Sequence, residues 1–575
     1  MVATEVNPTS PRPSSASGLV RLWLGSFLLL LCVAYGNLES IDTAITMQGA
    51  RALVRRGDSG LLRAQDGGDS LAETAAADYI AAHSGVAFGK TGIDGTHQYV
   101  WFPVGHLWLM APIVAIGERL AAAVPEIEAR FAARAGDQYY EGQFVVPQGL
   151  VALLLPALFG ASTIVLLWGL ARALGCTARQ SLLCAGSIAL TTQCFPLLRE
   201  TLSDGPGLTF LLGALFAVVR ATAEGQRQVA SWTMAFGGAC AGAAVLTRYQ
   251  HAFPVMALAA ALGLAAWRHR TWMSLFAFAL GGVPMAVLLF AVNVARFGAP
   301  LTTGYPPPLS WFDTPPWQGL PKILFAAGKG ILWFSPLLWI ALRGAVSRAV
   351  VPQLRGLAWL MLAIPVLMFS CTNGWQSGQC WGVRYVTGGV VAFLAIVLPQ
   401  LRPWQRWPRT FAAMLVIGSL VSVTSLLAPT RGHNQLAGQA VLAFYEQAHA
   451  RSEISDVDLE SVRLDQADRF FTLPRWSPLH ANWTYALQIL RGEFETEDGA
   501  PKNGAQHTIE PIFSVTTNDA LLGRAPIHFE DRGFRWFAFV FWGELLALPW
   551  WLLLLPPLLA GAFLLRLAVR RLSDF

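Results

Sequence analysis

The sequence predicts an all-helical protein that crosses a membrane many times, and three observations carry that prediction. Of the 575 residues 54% are hydrophobic and only 13% charged, and apolar runs recur from Leu22 almost to the C-terminus. A soluble core buries far less. The aromatics, 22 Trp and 33 Phe among them, gather near the ends of those runs, where amphipathic rings favour the headgroup layer. The arginines, finally, are sorted by side. That sorting makes the formal net charge of +6 a signal of membrane orientation, and no nucleic-acid partner is expected.

Residues 1–21 read as a cytoplasmic, disordered Ser/Pro-rich leader. The run Leu22–Tyr35 has no small-residue cleavage pattern after it, so it is a retained first span rather than a signal peptide. Residues 37–143 form a first outer loop, with a helical stretch Thr43–Arg55. Its segment Phe102–Ala123 is apolar enough to cross, yet counting it would invert every later loop. It is therefore read as a helix lying in, or re-entering from, the outer interface.

Eleven more spans bring the total to about twelve: Phe144–Leu170, Ser181–Leu197, Gly207–Val219, Trp232–Thr247, Phe253–Trp267, Trp272–Val294, Gly328–Leu342, Leu357–Ser370, Val386–Leu398, Phe411–Leu427 and Trp536–Leu565. Several fall short of the about 20 residues a perpendicular helix needs, so their ends continue into polar rims. Residues 22–427 are the transmembrane module. Residues 428–535, polar and mildly acidic, are a small extracytoplasmic domain packing over the membrane face. Residues 536–575 hold the last span and a cytoplasmic tail.

Alternate connections hold Arg172 and Arg179; Arg220 and Arg227; Arg268 and Arg270; Arg343, Arg348 and Arg355; Arg402, Arg406 and Arg409; Arg566, Arg570 and Arg571. By the positive-inside rule these are cytoplasmic. Both termini are then inside. The seven Cys include no CxxC pair, which argues against a metal or redox motif. Cys371 and Cys380 flank one outer loop, where either a bridge or two free thiols fits.

The span cores are almost free of ionisable residues, Glu544 being the main exception, and no internal repeat emerges. Both points count against a proton- or ion-coupled transporter. The outer rims are different. They carry Glu39 and Asp42 in the first loop; Arg199, Glu200 and Asp204; Arg248, Tyr249 and His251; Lys329 between two glycines; and Trp375, Arg384 and Tyr385. Carboxylates, cations and aromatics on one side suit a site for an anionic phosphate and a sugar. Each has a plainer reading. Asp42 could cap the Thr43 helix, Glu200 and Asp204 could be solvated, and Arg248 could snorkel. Arg384 could pair with a lipid phosphate, and His251 could be a structural hydrogen-bonder. Lys329 is harder to dismiss, since flanking glycines let backbone and ammonium approach a phosphate.

In these residues the chain resembles the polytopic glycosyltransferases of the GT-C fold, in particular the family 39-like protein mannosyltransferases and aminoarabinose transferases of bacterial membranes. Asp42-Thr43-Ala44 through Gly49-Ala50-Arg51-Ala52-Leu53 to Gly57 is similar to their acidic first-loop motif and helix. Gly95 to Gly105 is similar to "Gly-x-x-Tyr…Pro-x-Gly", with one extra residue before Tyr99. Asn293, Arg296-Phe297-Gly298 and Gly304-Tyr305 follow, then Gly328-Lys329-Gly330…Ser335-Pro336, and Trp381-Gly382-Val383-Arg384-Tyr385, similar to "Gly-Pro-Arg-Tyr". The resemblance spans about Asn37 to Pro399. It implies a GT-C-like fold and inverting transfer of a sugar from a polyprenyl-phosphate carrier to an extracytoplasmic acceptor, whether glycan, lipid or protein. The family base is a first-loop carboxylate, and Asp42 sits at that position; on the reading of the rim residues, Arg248, Lys329 and Arg384 would hold the carrier phosphate. Glu200 and Asp204 would orient the acceptor or bind a divalent cation, although no motif requires a metal. The family's Asp-Glu pair is absent, and Phe102 stands where aminoarabinose transferases carry a lysine before the first-loop proline. A transporter or flippase of a lipid-linked sugar, and a non-catalytic scaffold, are the competing readings. The expected home is the cytoplasmic (inner) membrane, with the site on its extracytoplasmic side.

Overall fold

The computed structural model describes residues 16–38, 41–82, 84–85, 88–135, 145–224, 227–270, 272–305, 312–372, 374–375, 380–427 and 537–573, with positions 477, 479, 482, 483 and 487. Glu39 and nearly all of the expected domain 428–535 lie outside the described residues. The rest is helical apart from one small antiparallel hairpin. In order come α1 (Ala16–Leu31), α2 (Ile41–Arg56), α3 (Leu71–Ala82), β1 (Gly89–Thr91), β2 (Gln98–Val100), α4 (Val104–Ala123), α5 (Pro125–Ala135) and α6 (Val145–Ala173). Next are α7 (Ala178–Leu190), α8 (Cys194–Leu197), α9 (Asp204–Glu224), α10 (Arg227–Thr247), α11 (Ala252–His269), α12 (Trp272–Phe297) and α13 (Pro316–Phe325). The chain continues with α14 (Ile331–Phe334), α15 (Leu337–Ala345), α16 (Pro352–Ser370), α17 (Arg384–Leu401), α18 (Pro403–Arg406) and α19 (Pro408–Thr424). After residues 428–536 it resumes with α20 (Ala538–Leu546) and α21 (Trp550–Ser573).

Local signals set many of these boundaries. Thr177 and Gln180 form a reciprocal capping box at the start of α7, which satisfies two backbone N–H groups that lack helical partners. Proline opens α13, α16, α18 and α19, where its missing N–H costs nothing and its fixed φ suits the first turn.

The bundle is built around α17. Residues 390–398 of this helix are essentially unexposed, so its apolar composition is that of a core as well as of a span. Gly389 has room for no side chain, because a Cβ there would run into the Met361 carbonyl of α16. Glycine likewise joins α10 to α12. A Cβ on Gly238 would collide with the Phe278 carbonyl, and one on Gly281 with that of Ala235. In a membrane, where lipid tails offer no hydrophobic drive between helices, such small residues let backbones approach and gain dispersion contacts.

The two ends of α17, about 27 Å apart at 1.5 Å per residue, define two faces. Near Leu401, Arg402 Nη2 donates to the Gly175 carbonyl at 2.9 Å and the Cys176 thiol to Pro399 at 3.4 Å. Val351 N donates to Gln400 Oε1 at 3.0 Å. Three arginine-bearing connections therefore gather at one end. Helix α21 runs antiparallel to α1, with Leu554 beside Cys32 and Leu565 beside Gly25, so Ala16 and Ser573 share that end.

Two of the expected spans are divided, while the segment expected at the outer interface forms α4. Helix α4 meets the opposite face at both ends: a Cβ on Gly105 would touch the Leu246 carbonyl at the close of α10, and one on Gly117 would touch Pro147 at the opening of α6. It lies along that face, as the interfacial reading has it, although by length and composition it is one of seven described helices able to cross. The segment Gly328–Leu342 is not one span but two short helices, α14 and α15, broken at Ser335-Pro336, because proline lacks the N–H a continuous helix would use. Trp536–Leu565 is likewise divided. Helix α20 ends at Ala547, which takes a left-handed conformation, and α21 alone is long enough to cross. Including the shorter apolar helices α1 and α19, the described residues hold nine candidates, against twelve expected.

Candidate active site

The face opposite the arginine end carries an unusual density of buried charge. Asp204 opens α9, and glycines bring that opening close to its neighbours. A Cβ on Gly205 would sit 2.7 Å from the Leu197 carbonyl, and one on Gly207 2.5 Å from the His251 ring. Arg248 follows α10 in extended backbone, ahead of a single 3-10 turn at Tyr249–His251. Arg384 and Tyr385 open α17. Asp42 lies in the first turn of α2, which starts two residues earlier than expected. Asp42 is therefore not the residue that caps this helix. Its carboxylate instead faces the positive end of the helix dipole.

These four charges alternate. Arg384 Nη2 donates to Asp42 Oδ2 at 3.2 Å, and Arg384 Nη1 stands 3.9 Å from Asp204 Oδ2. Arg248 Nε lies 3.1 Å from Asp204 Oδ1, and Arg248 Nη1 donates to Ser203 Oγ at 2.9 Å. The Tyr385 ring lies 5.6 Å from both guanidinium carbons. Side-chain exposure is 3% for Arg248, 5% for Asp204 and 8% for Arg384, rising to 19% for Asp42. At such burial charges survive only in company, because desolvating an isolated ion costs several kcal/mol or more. The company is incomplete. Nε of Arg248 and of Arg384, and Oδ2 of Asp204, have no aligned hydrogen-bond partner; the Arg248–Asp204 approach is close in distance but off-line as a hydrogen bond. Asp204 stands as counter-ion to two guanidinium groups. Among the described residues no three His, Cys, Asp or Glu side chains converge to hold a metal.

Lys329 lies fully buried in the turn before α14, and its ammonium approaches Cys380 Sγ at 3.7 Å. Gly330 serves the turn itself, since a Cβ there would meet Ala326 at 2.7 Å. Of the two readings left open for Cys371 and Cys380, the structure has the one without a bridge: no disulfide joins them. Glu200 is 5% exposed, its Oε2 lacks a partner, and burial pushes its carboxyl up to about 7. Arg384, Arg199 and Lys329 pull it down and Asp204 pushes it up, but neither outweighs burial.

Other expected site residues make structural contacts of their own. Arg199 is a tie between segments: Nε donates to the Val33 carbonyl at 2.9 Å, Nη1 to Ser425 at 2.8 Å, and its plane lies 4.0 Å over Tyr35. Trp375, 2% exposed, belongs to the main apolar core. Tyr249 packs edge-on to Tyr305 at 5.9 Å, which in turn stacks on Trp101 at 4.9 Å. The Arg-Phe-Gly motif has an architectural part: Arg296 donates to Ser59 Oγ at 2.6 Å and lies 5.0 Å from the Tyr99 ring, fastening the first loop to α12.

Sequence reasoning passed over three groups at this face. Gln193 is 1% exposed with neither amide atom partnered, and His106 is 2% exposed beside Arg248 and Asp204. Cys380 is the contact of Lys329. No local pattern marks any of them. A lone glutamine, histidine or cysteine beside an apolar run has no signature until the fold buries it among charges.

Known proteins compare as follows. Residues 145–295, about a quarter of the chain, match the family described as dolichyl-phosphate-mannose-protein mannosyltransferase. No curated protein matches. Among solved structures the chain is similar to ArnT from Cupriavidus metallidurans bound to undecaprenyl phosphate, with TM-score 0.42 and 14% identity over 88% of this chain and 77% of that one. The same protein in the apo state gives 0.41 and 15% over the same shares. An oligosaccharyltransferase from Archaeoglobus fulgidus, in complex with zinc and sulfate, gives 0.26 and 12% over 97% and 53%.

Proposed function

We propose that the protein is a GT-C-type glycosyltransferase that moves a sugar from a polyprenyl-phosphate carrier to an acceptor hydroxyl at the extracytoplasmic face of the cytoplasmic membrane. The observation that carries this reading is the buried array Asp42–Arg384–Asp204–Arg248, open at its guanidinium Nε groups. The match of residues 145–295 to a lipid-phosphate-sugar transferase family supports it.

In this mechanism the carrier phosphate takes the unfilled donors of Arg248 and Arg384, whose planar forks suit phosphate oxygens. Arg384, drawn to the phosphate, loosens its hold on Asp42. The freed carboxylate accepts the acceptor hydroxyl's proton while that oxygen attacks the anomeric carbon. The carbon–oxygen bond to the phosphate breaks, and the departing polyprenyl phosphate keeps the electron pair. Arg248, Arg384 and Lys329 stabilise its charge in a site with little water. One displacement inverts the anomeric centre. The flippase reading needs a polar path through the bundle, and α17 fills the centre with apolar side chains along residues 390–398.

The test is transfer by purified protein in proteoliposomes, using a polyprenyl-phosphoryl sugar donor chosen by lipid mass spectrometry of a deletion strain. Release of polyprenyl phosphate is expected to fall at least about a hundredfold in Arg248→Ala and in Arg384→Ala. Full release by both variants, at normal expression and melting temperature, would sink the assignment.

A further inference from the structure

Resting on the transferase reading, the structure assigns one more part of this site. We propose that Gln193, Glu200 and Lys329 form the subsite that grips the sugar of the lipid-linked donor, and that this sugar is uncharged and rich in hydroxyls.

The first observation is orphaned polarity. Gln193 is 1% exposed, and both its amide oxygen and its amide nitrogen lack partners. An amide carries two donor hydrogens and an acceptor oxygen, and leaving them dry is costly. A purely structural residue at such a place would be apolar. Glu200, beyond the short helix α8, leaves Oε2 without a partner at 5% exposure. Two polar side chains more than nine-tenths buried and unsatisfied, on one eight-residue segment, call for a ligand that offers both donors and acceptors. Sugar hydroxyls do both.

The second observation is how the chain keeps this place clear. A Cβ on Gly382 would stand 2.8 Å from Gln193 Oε1, and Gly382 has φ +66°, a conformation that glycine adopts without strain. Glycine here both permits the turn and leaves the amide uncrowded. The same stretch connects the amide to the cation: the Cys380 thiol donates to the Gly382 carbonyl at 3.4 Å and contacts Lys329 Nζ at 3.7 Å. Ser335 Oγ accepts from Gln193 N at 3.2 Å, which fixes the backbone beneath the amide. Phe334 and Trp381, with centroids 5.2 Å apart, adjoin it.

The third observation is charge. Asp42 and Asp204 stand against Arg248, Arg384 and Lys329, and Glu200, whose carboxyl burial pushes up to about 7, is a hydrogen-bonding group as much as an anion. The carrier phosphate answers the surplus positive charge and leaves none for the sugar. An amino sugar would bring its ammonium toward buried Lys329, and a uronic acid would bury a second anion beside the phosphate. A neutral sugar meets neither penalty.

The experiment measures equilibrium binding of three probes to the full chain in lipid nanodiscs: polyprenyl phosphate, polyprenyl-phosphoryl hexose and polyprenyl-phosphoryl amino-hexose. The hexose form is expected to bind about tenfold or more tighter than the bare phosphate, and tighter than the amino form. In Gln193→Met that preference over the bare phosphate should disappear, a loss of about tenfold for a buried group left unpaired. The melting temperature of the unliganded variant should stay level or rise, since the substitution removes two unsatisfied buried atoms. Gln193→Ala, which adds no bulk, should lose the same preference. Equal binding of bare phosphate and hexose forms by the natural protein would overturn the subsite while leaving the carrier reading in place. So would a preference that survives in Gln193→Ala, tightest binding of the amino form, or a Gln193→Met protein that melts clearly lower. Failure of all three probes to bind would remove both readings.

Discussion

At the scale of single residues, Asp42 carries the sharpest prediction. Because it lies within the first turn of α2 rather than before it, its substitution does not strip a cap. Asp42→Asn keeps the shape and an acceptor oxygen for Arg384 but gives up proton acceptance. Expression and melting temperature should stay near normal, with a modest cost from the helix dipole and the lost charge pair. Transfer should fall by about 10²- to 10⁴-fold; an active Asp42→Asn protein would move the search for the base to Glu200. Glu200 itself offers a pH test. Its folded carboxyl sits at about 7 against an ordinary 4.5, so between those values the folded protein holds a proton that the unfolded chain has released. Stability contributed through Glu200 is therefore full below about 4.5, declines as pH rises to about 7, and is level above. Glu200→Gln should erase that decline. The check is the difference in melting temperature between natural and Glu200→Gln protein from pH 5 to pH 8, which should narrow or reverse as pH rises. A constant difference would mean that Glu200 does not titrate there.

At the scale of elements, stability at the α10–α12 contact rests on backbones brought together by glycine. Gly238→Val puts two methyl groups where the Phe278 carbonyl already stands. Overpacking of this kind typically costs about 1–3 kcal/mol, sometimes more. The variant should melt several degrees lower in detergent and yield less folded protein. Gly263→Ala, at a position of α11 where a Cβ meets nothing within 4 Å, should melt like the natural protein. Equal melting of the two variants would refute close packing at α10–α12. The broken elements matter as much as the continuous ones. Ser335-Pro336 interrupts what reads as one span, and Lys329 and Ser335 thereby stand at helix ends instead of along a helix face. Helix α4, lying across the site face, brings His106 close enough to Arg248 and Asp204 to feel both charges.

At the scale of the whole molecule, the proposed orientation places the buried array outside and the gathered arginines inside. Single thiols introduced at Gly95 and Ala505 of a cysteine-free variant should react with an impermeant maleimide in intact cells. A thiol at Arg348 should react only after permeabilisation. Labelling at Arg348 in intact cells would reverse the orientation and, with it, the extracytoplasmic site. Residues 428–535 belong to the same test. Ser477 donates to the Ala327 carbonyl at 2.8 Å and Asn482 to Thr424 at 3.0 Å, which ties the described part of this block to the α13–α14 turn and the end of α19, on the face that carries the array.

The sequence by itself determined that this chain is helical and membrane-spanning, because apolar length and arginine placement are properties of contiguous segments and need no partner to be read. It also put Asp42, Glu200, Asp204, Arg248, Lys329 and Arg384 on one rim, since alternation of spans assigns a side to every connection. It could not separate rim charges that meet from those that do not. Arg199 and Arg248 look equivalent in sequence, yet one is absorbed by the Val33 and Ser425 carbonyls while the other joins Asp204. That choice depends on which segments pack together, across separations of 166 and 226 residues. The burial of Gln193, the crossing of α4 over the site face and the glycine contact at α10–α12 are of the same kind. Each depends on what a distant backbone leaves room for, and only the tertiary structure decides that.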